Sequence, residues 1–243
     1  MSDETPELSE GGGPIYRHKP REKPFEPAFG DIQHIQLIEQ HIEKHLGEPD
    51  FVFHEIISDL VHLDVHIVPP RPERNFYTLV TTGMSARRMK VPEGLEELSY
   101  AELMLSLPPD WPLRQEDFEN EANYWPVRTL KMLARLPHEY DTWLCEAHTI
   151  PNGDPAEPYA PNTKLCCAML APPLIVPDEF RELSVTPEMS IHFYGVIPIY
   201  QEEMDLKLKK GAEALYDLFD KHEVSELLDV NRKNVAKKRF GLF

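Results

Sequence analysis

The chain has 243 residues, of which 41% are apolar and 28% charged, and its formal net charge is -17. That length and apolar content suffice for one large domain, and the negative charge argues against a nucleic-acid or anionic-membrane surface, because like charges repel phosphate. No run approaches the roughly 20 apolar residues of a membrane span, no signal peptide is recognisable, and three cysteines, two of them adjacent, predict a reducing compartment, the cytoplasm.

The first elements follow from local signals. Residues 1–27 are rich in acids, glycine and proline, which predicts a flexible tail. Residues 31–46 predict a helix, because Asp31 can cap it, isoleucines recur at helical spacing and Gly47 follows its end. Residues 51–57 then predict a strand.

Two alternating runs, residues 61–67 and 76–82, flank a proline-rich connection. They predict a pair of neighbouring strands at the centre of a sheet. A helix is predicted over residues 126–136, with Pro126 in its first turn. Further strands are predicted over residues 99–108, 142–150, 164–170 and 190–199.

The C-terminal part predicts a long final helix that begins near Tyr200. Gly211 lies in the interior of that helix, which indicates a close packing contact. The last segment, residues 231–243, carries five basic residues and predicts a basic tail outside the domain.

The first alternating run offers the main candidate for chemistry, because it places His62, Asp64 and His66 on one strand face. Two of these side chains could share a metal ion, but at roughly 3.3 Å per residue the two histidines lie about 13 Å apart, too far to bind one zinc ion together. A site would need further ligands such as His192, and no CxxC or HExxH spacing supplies them. We therefore predict no catalytic residue, metal or cofactor; a metal- or ligand-dependent enzyme that uses this face is the alternative.

The same region is a candidate partner surface. Its proline-rich connection carries charged and amide side chains that could anchor the backbone or a carboxylate of a partner, or simply be solvated. The partner-binding candidates are His62, Asp64, His66, Arg71, Arg74 and Asn75. Five aromatic residues could line a recognition groove or fill the core; they are Tyr100, Trp111, Tyr124, Trp125 and Trp143.

Four long stretches resemble the bacterial branch of the Suppressor of fused family: HLDVHIVPPRPERNFYTLVTTGMS, YAELMLSLPPDWP, WPVRTLKMLARLP and VIPIYQEEMDLKLKKGAEALYDLFDKHEVSELLD. The likeness implies a single domain over residues 28–230. It also implies an α/β (α+β) fold in which a central mixed, largely antiparallel sheet is flanked by helices.

The resemblance also implies a function. Animal members are not enzymes; they sequester zinc-finger transcription factors of Hedgehog signalling by gripping a short peptide between two domains. No second domain is recognisable in this sequence, so the two-domain clamp is not expected. Bacterial members are similar to immunity proteins, which neutralise toxins, often nucleases, by direct binding. The resemblance thus implies a non-enzymatic cytoplasmic protein with a toxin as partner, and a structural or scaffolding module is a third possibility.

Overall fold

The computed structural model describes residues 6–22 and 24–237. No helix in these residues is long and apolar enough to cross a membrane. The strands and α-helices in this part of the chain are β1 (Glu7–Leu8), β2 (Pro14–Ile15), α1 (Ile32–His45), β3 (Phe51–Phe53), β4 (Asp64–Val68), β5 (Tyr77–Thr82), β6 (Ala101–Leu107), α2 (Glu121–Glu139), β7 (Thr149–Pro151), β8 (Cys167–Ala171), β9 (Glu182–Thr186), β10 (Met189–Ile199), α3 (Gln201–Lys210) and α4 (Glu213–His222).

One sheet organises the domain, with strand order β3-β4-β5-β6-β10-β8-β7 and β9 also paired to β10. Strands β6 and β10 run parallel, and the other neighbours in this sheet run antiparallel. The predicted mixed, largely antiparallel sheet is therefore confirmed. The predicted place of the first pair, β4 and β5, at the centre is wrong, because β10 joins β6 and adds β8 and β7 beyond it.

Helices cover both faces of the sheet, as the resemblance implies. On one face, Trp125 of α2 and Leu103 of β6 belong to one hydrophobic core. On the other face α1 packs Ile38 and Ile42 in a core with Met104. Leu103 and Met104 are consecutive residues, and successive side chains of a strand point to opposite faces. Helix α4 packs on the same face as α1, where it covers β8 and the end of β10.

Helix α1 begins and ends as predicted. The Oδ1 atom of Asp31 accepts hydrogen bonds from the N–H groups of Gln33 and His34, at 3.1 and 3.3 Å. Gly47 follows the helix with a φ of 103°, a left-handed conformation that favours glycine.

Helix α2 is longer than predicted, because it begins at Glu121 and runs through Pro126. A proline has no N–H to donate, so the carbonyl of Ala122 loses its helical partner. The side-chain amide of Asn162 donates to that carbonyl at 3.5 Å instead. A residue from a distant loop thus satisfies the group that the proline leaves free.

The predicted long final helix is instead two helices, α3 and α4. Gly211 lies between them with a φ of 89°. The N–H of Gly11 donates to the carbonyl of Leu208 at 2.8 Å, and a Cβ on Gly11 would lie 2.5 Å from the Gly211 nitrogen. The N-terminal segment therefore packs onto the break between the helices.

The described parts of both predicted tails contact the domain. Near the N-terminus, the Nη1 atom of Arg21 lies 2.6 Å from Oδ2 of Asp59. Near the C-terminus, Nη1 of Arg232 donates to Oε1 of Glu203 at 2.7 Å. The remaining tail residues, 1–5, 23 and 238–243, lie outside the described residues.

A buried carboxylate holds the turn after β5. The Oε1 atom of Glu102 accepts from the N–H groups of Gly83 and Ser85 at 2.9 and 3.0 Å and from the Ser85 hydroxyl at 2.6 Å, and the Thr81 hydroxyl donates to Oε2 at 2.6 Å. Burial raises the pKa of Glu102 to about 7, and these hydrogen bonds oppose the rise. Gly83 has a φ of 106°, and a Cβ there would lie 1.8 Å from the His62 carbonyl oxygen. The TTGMS stretch is thus a structural turn.

Candidate functional site

The six residues that the sequence offers as partner-binding candidates do not form one cluster. Strand β4 separates them, and its five residues span roughly 13 Å at about 3.3 Å per residue. His62 and Asp64 lie at its start, His66 lies within it, and Arg71, Arg74 and Asn75 lie in the turn beyond its end.

His66 is 1% exposed, so the polar face of β4 is covered rather than solvated at this position. Its Nε2 atom lies 3.1 Å from the Thr82 hydroxyl, and its Nδ1 atom lies 3.9 Å from Oε1 of Glu39 on α1. Burial lowers the pKa of His66 to about 4, although Asp64 acts in the opposite direction. The ring is therefore neutral at neutral pH.

The buried state of His66 predicts a loss of stability in mild acid. As the pH falls from 6.5 towards 4, the unfolded chain binds a proton on this ring that the folded chain does not bind. We expect the stability advantage of the wild type over His66→Asn to shrink by about 2 kcal/mol between about pH 7 and about pH 4.5. Urea titrations of both proteins at each pH would measure this, and an unchanged difference would contradict it.

Asp64 fixes the connection between β3 and β4 from inside. Its Oδ1 atom accepts from the Glu55 N–H at 3.2 Å and lies 3.3 Å from Nε2 of His62. Its Oδ2 atom lies 3.1 Å from Nδ1 of His54. The other ring nitrogen of His62 is 2.8 Å from the Ser58 hydroxyl. Asp64 therefore organises the loop that follows the edge strand.

Arg135 of α2 braces the same β3–β4 loop, residues 54–63, from the other side. Its Nη2 atom lies 2.6 Å from Oε1 of Glu55, and its Nε donates to the Asp59 carbonyl at 3.2 Å. Arg21 binds the Asp59 carboxylate as well. These charged contacts fix Glu55 and Asp59 within the loop, which lowers the entropy cost of binding through it.

The turn beyond β4 is tied to the end of α1. Nη2 of Arg74 donates to the Leu46 carbonyl at 2.6 Å, and Nη1 donates to the Thr78 hydroxyl. The Arg71 guanidinium packs against the glycine that ends α1. Asn75 is exposed. Arg74 is thus a structural link, and Asn75 is the member of this group that is open to solvent.

The β3–β4 loop presents an apolar surface. It lies beside the segment that precedes α1, since the Ala28 N–H donates to the Ser58 carbonyl at 3.1 Å. The β3–β4 loop, that segment and the first residue of α1 carry the four most exposed large hydrophobic side chains among the described residues. These four form what we term the apolar patch: Ile56 (97% exposed), Phe29 (90%), Ile57 (75%) and Ile32 (71%). Residues 27 and 59 also form an antiparallel bridge, so the two segments run side by side, and exposed apolar side chains on adjacent segments are typical of a protein–protein contact surface.

A concave surface lies beside the edge strand β3. This β3 groove has a volume of about 750 Å³ and is lined by β3, by residues 111–118 and by one side of α2. The ring centroids of Phe53 and Phe118 are 4.6 Å apart, and those of Phe118 and Tyr124 are 5.2 Å apart. The Trp111 indole N–H donates to the Asn123 carbonyl at 3.1 Å, which fixes one wall.

Of the five aromatic residues that the sequence offered as lining a groove or filling the core, some do one and some the other. Trp111 and Tyr124 line the β3 groove. Trp125 and Trp143 belong to the core on the α2 side, and Tyr100 packs against the core under α1. The sequence reasoning missed the apolar patch and the aromatic residues of β3. The pair Ile56-Ile57 within a polar segment could have indicated the apolar patch. The alternation of Phe51 and Phe53 could have indicated the aromatic side of β3.

The geometry does not assemble a metal centre on the polar face. Within residues 6–22 and 24–237, no group of three or more histidine, cysteine, aspartate or glutamate side chains could hold a metal ion. His192, the further ligand considered above, lies on β10, and its Nε2 atom is 3.1 Å from the Glu97 carbonyl oxygen.

Comparisons with known proteins identify relatives of this chain. A family model described as Suppressor of fused protein (SUFU) matches residues 59–233. Among solved structures, a protein from Neisseria gonorrhoeae FA 1090 described as a SUFU homologue has a TM-score of 0.63 at 18% identity, over 85% of this chain and 99% of that chain. No curated protein sequence matches significantly.

Two further structures share the fold. A chain of the Sufu–Fu complex has a TM-score of 0.57 at 14% identity, over 86% of this chain and 93% of that one. Drosophila Suppressor of Fused has a TM-score of 0.55 at 12% identity, over 83% of this chain and 50% of that one, so this chain spans half of that protein. At these identities the structures show a shared fold, and the family assignment follows from the family model. The chain belongs to the Suppressor of fused family.

Proposed function

We propose that the chain is a non-enzymatic immunity protein that acts in the cytoplasm and neutralises a bacterial toxin by direct binding, and that nucleases are one class of toxin that its charge would suit. The observation that carries the proposal is the apolar patch on a braced loop. A related fold occurs in the Sufu–Fu complex, which is a protein complex. The net charge of -17 favours a basic partner, and a carboxylate-rich surface can speed its association and occupy a site built for phosphates.

The patch has the properties of a binding hot spot. Its side chains are large and apolar, and the loop that presents them is fixed by Asp64 and Arg135. Binding would therefore bury apolar area without first ordering a flexible segment. In this proposal Asp64 and His62 act through the loop that they position, and the partner touches Ile56 and Ile57.

The proposal predicts a toxin gene beside the gene for this chain, and the test is neutralisation of that toxin. Cells that express that toxin should survive when the chain is co-expressed, and the two proteins should co-purify. The double substitution Ile56→Asp with Ile57→Asp should weaken binding about 100-fold and abolish protection, because it places two charges in an apolar contact. Calorimetric titration of the purified pair would measure the affinity.

The matched control is Leu174→Asp, since Leu174 is also an exposed aliphatic residue, at 52%, and lies outside the patch. This variant should bind and protect as the wild type does. Toxin that neither binds the chain nor loses activity in its presence would refute neutralisation. Full protection by the double variant would refute the role of the patch.

A further inference from the structure

The β3 groove is built along the free edge of a strand. Among the described strands, β3 pairs with β4 and with no other, so one edge of its backbone has no strand partner. Four consecutive residues, Phe51 to His54, line the groove. Since side chains of a strand alternate between its faces, a surface that meets four successive residues must follow the backbone edge. A strand edge without a partner strand can accept an added strand.

The groove also contains a cation without a close partner. Lys131 lies on α2, one turn beyond Val127 and two turns beyond Tyr124, so these three side chains form one wall. Within the described residues its ammonium group has no hydrogen bond or ion pair, and Glu55 and Asp64 act on it at longer range. Both carboxylates are already engaged, by Arg135 and by His54. The Lys131 side chain is half-buried, and this burial lowers the pKa of its ammonium group.

These features select one kind of occupant. Aromatic walls favour an aromatic or large aliphatic side chain, and a half-buried ammonium favours a carboxylate. The free edge of β3 favours an extended backbone over a compact small molecule. The net negative charge of the chain opposes an anion at long range, so the preference for a carboxylate rests on Lys131 within the groove.

We infer that the β3 groove binds an extended peptide segment of a partner protein, in which an aromatic or large aliphatic residue lies within three positions of an aspartate or glutamate. The segment adds to the edge of β3, its apolar side chain enters between Trp111 and Phe118, and its carboxylate pairs with Lys131. This inference does not rest on toxin neutralisation, because it concerns a second surface and a different contact chemistry.

The test is selection from a phage-displayed library of random octapeptides against the full chain. Selected peptides should be enriched in aromatic residues followed or preceded within three positions by Asp or Glu. Synthetic copies should bind wild type about tenfold more tightly than Lys131→Met, which keeps the packing of the long side chain but removes its charge. Amide NMR signals of Phe51 to His54 should shift on binding.

Lys164→Met is the matched control, since it removes one lysine charge at an exposed position outside the groove, and it should bind the peptides as wild type does. Equal thermal melting of the three proteins would show that folding is unaffected. The inference is overturned if no acidic enrichment is found, or if Lys131→Met binds the selected peptides as well as wild type. It is also overturned if the free acid 3-phenylpropionate binds as tightly as the peptides, because the groove would then be a small-molecule site.

Discussion

Replacing Glu102 by alanine should lower the free energy of unfolding by about 4 kcal/mol. The carboxylate accepts four hydrogen bonds in a site that water does not reach. The two hydroxyl donors, on Thr81 and Ser85, can rotate, but the N–H groups of Gly83 and Ser85 are fixed by the turn and would be buried without an acceptor. The missing side chain would also leave a cavity under α1. Urea denaturation at neutral pH would measure the loss.

Two further variants distinguish the hydrogen bonds from other effects of the substitution. Glu102→Gln keeps one acceptor oxygen and the volume of the side chain, so it should cost about 1 to 2 kcal/mol. Glu97→Ala removes an exposed carboxylate from the segment just before β6, and it should change stability by less than about 0.5 kcal/mol. If Glu102→Ala were as mild as Glu97→Ala, the buried network would not be what holds the TTGMS turn.

Sequence signals located the elements whose determinants are local. Asp31 and Gly47 bound α1 as predicted, because a cap and a terminal glycine act within one turn. The errors arose where a distant residue decides the outcome. Asn162 satisfies the carbonyl that Pro126 leaves free, and Gly11 packs onto the break at Gly211. Such contacts depend on the tertiary fold, which local patterns do not encode.

The candidate site was predicted less completely for the same reason. Asp64 and His66 share one face of β4, as alternation predicts, but alternation does not reveal that α1 covers His66 or that His62 precedes the strand. The predicted strand over residues 51–57 also placed Ile56 and Ile57 in the sheet. The strand ends at Phe53, because Asp64 draws the following residues into a loop, and the two isoleucines are thereby exposed.

Replacing Arg232 by alanine should lower the free energy of unfolding by about 3 kcal/mol. Its guanidinium binds the fully buried carboxylate of Glu203, donates to the Pro198 carbonyl at 3.0 Å and lies 5.0 Å from the centre of the Tyr200 ring. Without it a charge stays buried with no cationic partner. Denaturant titration should show that Lys233→Ala, which removes a neighbouring exposed charge, costs less than about 0.5 kcal/mol. A double-mutant cycle of Arg232→Ala with Glu203→Gln should give a coupling free energy above about 1 kcal/mol. If the two losses of stability were simply additive, the ion pair would not be what anchors the C-terminal segment.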